Sequence, residues 1–476
     1  MVRLSFFSPR SVTMFAAAAA SIVLLAPVEI RAQQPSMVSV DAPVVALTNA
    51  TVIDGTGSAA MTGHTIVIRD GRIEAVGTSV DVPDGAEVID ATGHTVIPGL
   101  VGMHDHMYFS SAGGYSAQAD FTGPRLYLGS GVTTLRTTGS QKPYADINLK
   151  ANIDAGNTPG PKIHITAPYI TGGSGGGGMA RITNAESARR FVAYWASEGA
   201  EWIKGYTSIA SEQLGAAIEE AHANGLKVTG HLCAVSFREA VALGIDNLEH
   251  GFLTATDFEQ GRTPDVCNQN SMLTVGNEGD PKGEVAQDVI ATMVANDVSM
   301  TSTLAVVEPF IANRPTKDER SLSAMAPAVR DAYLETREQI DGGAFPFTLR
   351  MLQKSGEFEL EFHRAGGVLA SGVDPTGVGG ALPGYGDQRN LELLVEFGFT
   401  IPEAIQVGTL NGATILGEAD ETGSIEVGKA ADLVLLEGDL SSDIAIIRNT
   451  VTVFKDGIGY DSARLIEAVQ GRVGIN

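Results

Sequence analysis

The sequence predicts an α/β fold: a (β/α)8 barrel of the TIM type, with a small β-sandwich built from both ends of the chain. Three observations carry this. The middle of the chain alternates short β-branched or apolar runs with helical stretches, the signature of a parallel sheet with right-handed crossovers. Eight such runs can be placed, which suits a closed barrel better than an open sheet. β-rich segments flank this middle on both sides, and neither flank has enough strands to bury its own faces. At 476 residues the chain has room for a barrel of about 250 residues and a second, smaller unit.

Residues 1–32 read as a secretory signal. Arg3 and Arg10 give a positive start, Val12 to Leu25 give an apolar stretch, and Ala32 offers a small residue before Gln33. Ile30 at the −3 position departs from that pattern, and an uncleaved anchor is the alternative. The apolar run before Pro27 is shorter than the roughly 20 residues of a spanning helix. Cleavage would leave a mature protein free of the membrane, periplasmic or secreted.

The first sandwich part, 37–95, carries strands over 44–50 with 51–53, 65–69, 72–76 and 87–90. Asp54-Gly55, Asp70-Gly71 and Pro83-Asp84-Gly85 mark turns between them. The second part, 419–476, carries strands over 432–436, 444–448 and 451–455. The barrel occupies 96–418. Its strands end near His104 (rising from His94), Arg136, Ile170, Lys204, His231, His250, Thr303 and Asp374. The third runs from Lys162 and the eighth from Gly367. Helices follow, among them 212–224 closed by Gly225, and 236–243 opened by the cap Ser236 and closed by Gly244. The segments 254–297 and 305–329 exceed plain crossovers and add helical or lid material.

Composition narrows the function classes. The chain is 43 % hydrophobic and 18 % charged, as ordinary globular proteins are. Its net charge of −24 repels phosphate backbones and anionic lipid, which argues against nucleic acid as a partner. Cys233 and Cys267 are the only cysteines. Export permits a disulfide between them, and two free or buried thiols remain the alternative.

Six residues carry the chemistry: His104, His106, Lys204, His231, His250 and Asp374. Each falls at the C-terminal end of a predicted strand, the face where barrels of this kind place active sites. His104 and His106 stand two apart on a strand, so both imidazoles face one side and can share a metal. Gly102 and Pro98-Gly99 allow close backbone approach there. Tyr206, two after Lys204, shares its face and could touch a substrate carboxylate. His164 could line the pocket, but a core histidine is the blander reading. His64, His94, His222 and His363 read as surface or packing. The Gly172–Gly178 stretch lacks the ending of a phosphate loop and reads as a mobile loop by the site.

The run Val96-Ile97-Pro98-Gly99-Leu100-Val101-Gly102-Met103-His104-Asp105-His106 resembles the first-strand motif of the amidohydrolase superfamily, in particular its imidazolonepropionase-like and Xaa-Pro-dipeptidase-like branch. Supporting stretches are Trp202-Ile203-Lys204, Gly230-His231, Asn247-Leu248-Glu249-His250-Gly251 and Ala370-Ser371-Gly372-Val373-Asp374. Later matches run from Ala404 to Ala413 and from Gly423 to Leu433. The likeness spans nearly the whole mature chain in order.

The resemblance implies two divalent metal ions, with zinc the expected metal. His104, His106 and Asp374 would hold the more buried ion, and His231 and His250 the other. Lys204 would bridge both as a carbamate formed with carbon dioxide, an anionic oxygen ligand where an ammonium has no lone pair. A metal-bridging hydroxide would attack an amide, in a dipeptide or an N-acyl amino acid, with Asp374 as general base. A small-molecule or dipeptide substrate and a homo-oligomer fit this reading. Thr137 and Ser174 depart from relatives that carry Asp and His there, changes expected to lie near the substrate. The alternatives are a mononuclear deaminase or cyclic amidase, a binuclear lactonase or esterase, and a catalytically dead scaffold. Lys204 and export count against the first, and retention of all six ligands counts against the last.

Overall fold

The computed structural model describes residues 37–173, 178–314 and 316–475; the segment read as a signal, 1–32, lies outside them. The parallel sheet closes into a barrel whose strands are Leu100–Asp105, Val132–Thr137, a broken third strand, Trp202–Gly205, Lys227–Gly230, Asn247–Glu249, Ser299–Ser302 and Leu369–Ser371. Ser371 of the eighth strand pairs back to Gly102 of the first.

Two barrel strands differ from expectation. The third is split into Lys162–His164, paired with the second strand, and Ile170–Thr171, paired with the fourth. Pro168 lies in the gap and has no N–H for a ladder. The ring is kept closed there by a bridge from Thr166 to Trp202. The run expected to rise from His94 into His104 is cut at Gly99. His94–Pro98 pairs instead with Leu433–Glu437 in the other sheet. A Cβ on Gly99 would lie 2.0 Å from the Thr133 Oγ1, so glycine lets the chain cross between sheets at this close approach.

That other sheet has nine strands drawn from both ends of the chain. Val38–Val40 and Ile458–Asp461, too short to read from periodicity, pair at its edge. Ile444–Arg448, expected as a strand, is a 3-10 helix whose entry the Asp443 side chain caps by accepting from Ala445 N. Only Ile447 of that segment is buried, so no sheet face claims it. The sheet curls on itself through a bridge between Arg72 and Ala430. Period two then sorts one strand between two cores. Leu433 and Leu435 join Val45, Leu47, Ile66 and Phe454 inside the curled sheet, whereas Val434 and Leu436 join the core around the barrel.

The helices between barrel strands follow their end signals. Ser211–Ala223 is followed by Gly225 in the left-handed region. Phe237–Ala242 starts at Ser236, whose hydroxyl accepts from Glu239 N. The long 254–297 segment holds the helices Ser271–Glu278 and Glu284–Ala295. Cys233 and Cys267 are joined in a disulfide that ties this segment to the turn after the fifth strand. No helix among the described residues is long and apolar enough to cross a membrane.

Glu359, on the helix Leu349–Arg364, is buried and accepts from the Ser302 hydroxyl at 2.7 Å. Burial pushes its carboxyl up to about 8, partly opposed by that hydrogen bond. A raised carboxyl adds stability in full below the unfolded value of 4.5, and this is lost as pH rises through about 8. Glu359→Gln is therefore expected to show a smaller fall in thermal midpoint than the parent between about pH 5 and 8, read from paired melts.

Candidate active site

The six residues singled out from the sequence converge on one cavity of about 400 Å³ at the C-terminal end of the barrel. His104 and Lys204 lie within the first and fourth strands. His106, His231 and His250 follow directly on the ends of theirs, and Asp374 stands three residues past the end of the eighth. His250 and Asp374 both adopt positive φ, 65° and 47°. Non-glycine residues held in this region concentrate at functional sites. Gly102 serves the site differently: a Cβ there would meet the Asp105 carboxylate at 1.9 Å.

The cluster is tight. Asp374 Oδ2 lies 3.6 Å from His104 Nε2, and Oδ1 lies 3.4 Å from His106 Nε2. Ring centroids are 4.5 Å apart for His104 and His250, and 4.3 Å for His231 and His250. Ligand atoms of His104, His250 and Asp374 all fall within 4.8 Å of one another, a spacing that one metal ion can span. Lys204 Nζ and His250 Nε2 are buried with no hydrogen-bond partner among the described residues. Buried polar atoms are seldom left orphaned, so these two mark places for a further ligand. Imidazole and carboxylate donors at this spacing suit a divalent metal ion.

The outer nitrogens of three histidines are anchored. His104 Nδ1 donates to Glu249 Oε2 at 2.7 Å, and His106 Nδ1 donates to the Gly139 carbonyl at 3.1 Å. His250 Nδ1 pairs with the Thr303 hydroxyl at 2.7 Å. For His104 and His106, a proton fixed on Nδ1 leaves the Nε2 lone pair facing the cavity, the tautomer a metal needs.

Electrostatics favour neutral bases. Burial, with Lys204 nearby, takes His104 down to about 4 and His231 down to about 3. Burial takes the Lys204 amine down to about 8, against the pull of Glu249 and Asp374. Burial alone would raise the Asp374 carboxyl, but His104, His106 and His250 hold it well below the usual range.

Glu249 is the functional residue that motif reading passed over. It is fully buried one position before His250, and it accepts from His104, from Arg136 Nη2 at 2.6 Å and from Thr229. Burial would raise this carboxyl, and His104, Lys204 and Arg136 drive it well below its usual range instead. Below it the Arg136 guanidinium lies 4.4 Å over the Trp202 ring. Trp202 shares its strand face with Lys204, so one packed stack supports both ends of the cluster. The signal was present in Asn247 and Glu249, two polar residues at period two on a barrel strand. Glu249→Gln is expected to weaken zinc affinity by about 10–100-fold, measured by competition with a chelating dye.

Tyr206 lines the cavity as expected, its ring centroid 4.9 Å from that of His231. Tyr108 and Tyr169, not anticipated, line it too and are hydrogen bonded to each other. His164 does not line it: its ring is bound to Glu201 at 2.5 Å. His222 pairs with Asp246, and His363 packs on Phe399. Thr137, expected near the substrate, is buried in the barrel wall, where its hydroxyl accepts from Thr166 N at 3.0 Å. Ser174 lies outside the described residues.

A sequence model of the Amidohydrolase family matches residues 378–458. An imidazolonepropionase of Porphyromonas gingivalis is 24 % identical over 400 residues, covering 78 % of this chain and 82 % of that protein. An enamidase of Eubacterium barkeri is 25 % identical over 399 residues, covering 81 % and 84 %. The solved structure of a Bifidobacterium longum protein provisionally named a prolidase matches with a TM-score of 0.63 and 26 % identity, over 87 % of this chain and 94 % of that one. These likenesses extend over the barrel that gathers four histidines, a lysine and an aspartate at its C-terminal end, and together they support the amidohydrolase superfamily as the group this chain resembles.

Proposed function

We propose that this chain is an exported, metal-dependent hydrolase of a peptide or N-acyl amide bond. The observation that carries the reading is Lys204: a buried amine with no partner, facing Asp374 and neutral imidazoles. A lysine held as a permanent cation would be hydrogen bonded to a carboxylate, and this amine has no such bond among the described residues. A lysine whose amine sheds its proton easily can react with carbon dioxide. Its Nζ lone pair attacks the carbon, an N–C bond forms as one C=O π pair moves onto oxygen, and one N–H proton leaves to solvent, giving an anionic carbamate.

His104, His106 and Asp374 would then hold one divalent ion and His231 and His250 a second, with the Lys204 carbamate between them. Such ions, when bound, lower the pKa of water towards neutrality and polarise a carbonyl. Asp374, ionised in the resting site, accepts the proton of the attacking water on its carboxylate and returns it to the departing amine. The Thr376 hydroxyl, donating to Asp374 Oδ1 at 2.8 Å, fixes which oxygen is free for that task. Tyr206 offers a hydroxyl to the substrate from the position just past the strand that carries Lys204. The enamidase and the provisionally named prolidase among its relatives support action on carbon–nitrogen bonds. The Cys233–Cys267 disulfide supports export, since cytosolic thiols are kept reduced.

The test is zinc content per chain together with turnover of dipeptides and acyl anilides, before and after chelation. About two equivalents, with amide cleavage lost on chelation and restored by zinc, are expected. One equivalent, with ammonia released from amino-heterocycles and no amide cleaved, would replace this reading by the deaminase one.

A further inference from the structure

The cavity has two chemically distinct walls. One carries the metal-ligand cluster and the three tyrosines. The other is apolar, formed by Leu253, Met272, Val306, Val307, Phe310 and Phe347. Met272, Phe310 and Phe347 are only partly buried, and the two phenylalanine rings lie 5.4 Å apart. Apolar surface left open beside a reactive centre is surface that a ligand can cover.

Charge is distributed just as unevenly. Among the described lining residues Lys204 is the one cationic side chain, and the proposed function turns it into an anion. Residues 174–177, outside the described residues, are Ser-Gly-Gly-Gly and carry no charged side chain. Lys142, next to the lining residue Gln141, is exposed and does not line the cavity. Arg314 and Arg389, beyond the apolar wall, are committed to Glu308. Apart from metal ions held by the histidine cluster, a substrate carboxylate inside the cavity would find no cationic side chain on the apolar wall to pair with.

We infer that the substrate is an uncharged, hydrophobic amide: a bulky apolar acyl or aryl group lies on the wall of Val306, Phe310 and Phe347, and no ionised carboxylate enters the cavity. This rests on the amide reading above and narrows it, setting amides without a free carboxylate ahead of free dipeptides and N-acyl amino acids. Tyr206, whose hydroxyl has no partner among the described residues, can donate to a neutral carbonyl as readily as to an acid.

The test compares compounds that differ in one group. Hexanoylanilide and 4-(hexanoylamino)benzoate share acyl chain and scissile bond, and only the second carries a carboxylate. The zinc-loaded protein is expected to favour the anilide by at least about tenfold in kcat/KM, because a carboxylate buried without a partner is costly. Phe310→Ala and Phe347→Ala are each expected to lower the hexanoyl-to-acetyl anilide preference by about tenfold, through lost apolar contact. Equal or better turnover of the benzoate would overturn the inference and leave the amide reading standing. Cleavage of neither compound would sink the amide reading. Calorimetric titration of both into the Asp374→Asn protein then decides the inference separately, with tighter binding of the anilide supporting it and equal or weaker binding overturning it.

Discussion

Lys204→Ala is expected to abolish amide hydrolysis to on the order of a thousandfold below the parent and to leave less than one zinc per chain. The loss should not be one of folding. Lys204 is 1 % exposed and its amine has no hydrogen bond to lose, so the alanine protein without metal should melt at or above the temperature of the metal-free parent. Two readouts separate a bridging carbamate from a merely positioned cation. Labelled bicarbonate should give a carbamate carbon signal in the parent and none in the variant. Short carboxylic acids, which can place an anionic oxygen pair in the vacated space, should restore part of the activity. A Lys204→Arg protein retaining full zinc and activity would contradict the carbamate, since a guanidinium does not react with carbon dioxide.

Asp374→Asn is expected to have the second largest effect, with kcat falling about a hundred- to ten-thousandfold and KM changing little. The amide keeps an oxygen for metal but cannot take a proton. The charge also matters to the cluster. Asp374 stands 3.6 Å from His104 and 3.4 Å from His106, so neutralising it removes the anion those rings face. Zinc content should therefore fall modestly while activity falls steeply. Parallel losses in zinc and activity would make Asp374 a ligand only and move the proton transfer to another group.

Much of the site was legible in the sequence because its chemistry sits on strand ends. A histidine pair at i and i+2 points one way on any strand, and a lone histidine or lysine after an apolar run marks where a strand stops. That is why His104, His106, Lys204, His231, His250 and Asp374 could be named and are found around one cavity. Tyr206 followed from Lys204 by the same rule. Glu249 was harder, since a glutamate beside a histidine has many reasons to exist. Only the strand register, which brings it to His104 and Arg136 at once, gives it a purpose. Of the segments read as added helical or lid material, 254–297 supplies Met272 and 305–329 supplies Val306, Val307 and Phe310. The greater part of the apolar wall comes from Val306, Val307, Phe310 and Phe347 on either side of the 319–341 helices. No local pattern distinguishes these from residues of an ordinary core.

By itself, then, the sequence determined the strand–helix alternation, the ends of the strands and the donor atoms placed there, because those follow from side-chain period and from the chemistry of single residues. Tertiary structure alone decided where strands change partner. Gly99 sends His94–Pro98 to one sheet and Leu100–Asp105 to the other, and Pro168 splits the third barrel strand. It decided the left-handed backbone of His250 and Asp374, which no propensity favours and which the surrounding packing must hold. It also paired Cys233 with Cys267 and fixed the charge states of the buried carboxyls and imidazoles. Those depend on desolvation and on distances between residues far apart in the chain, quantities that exist only once the barrel has closed.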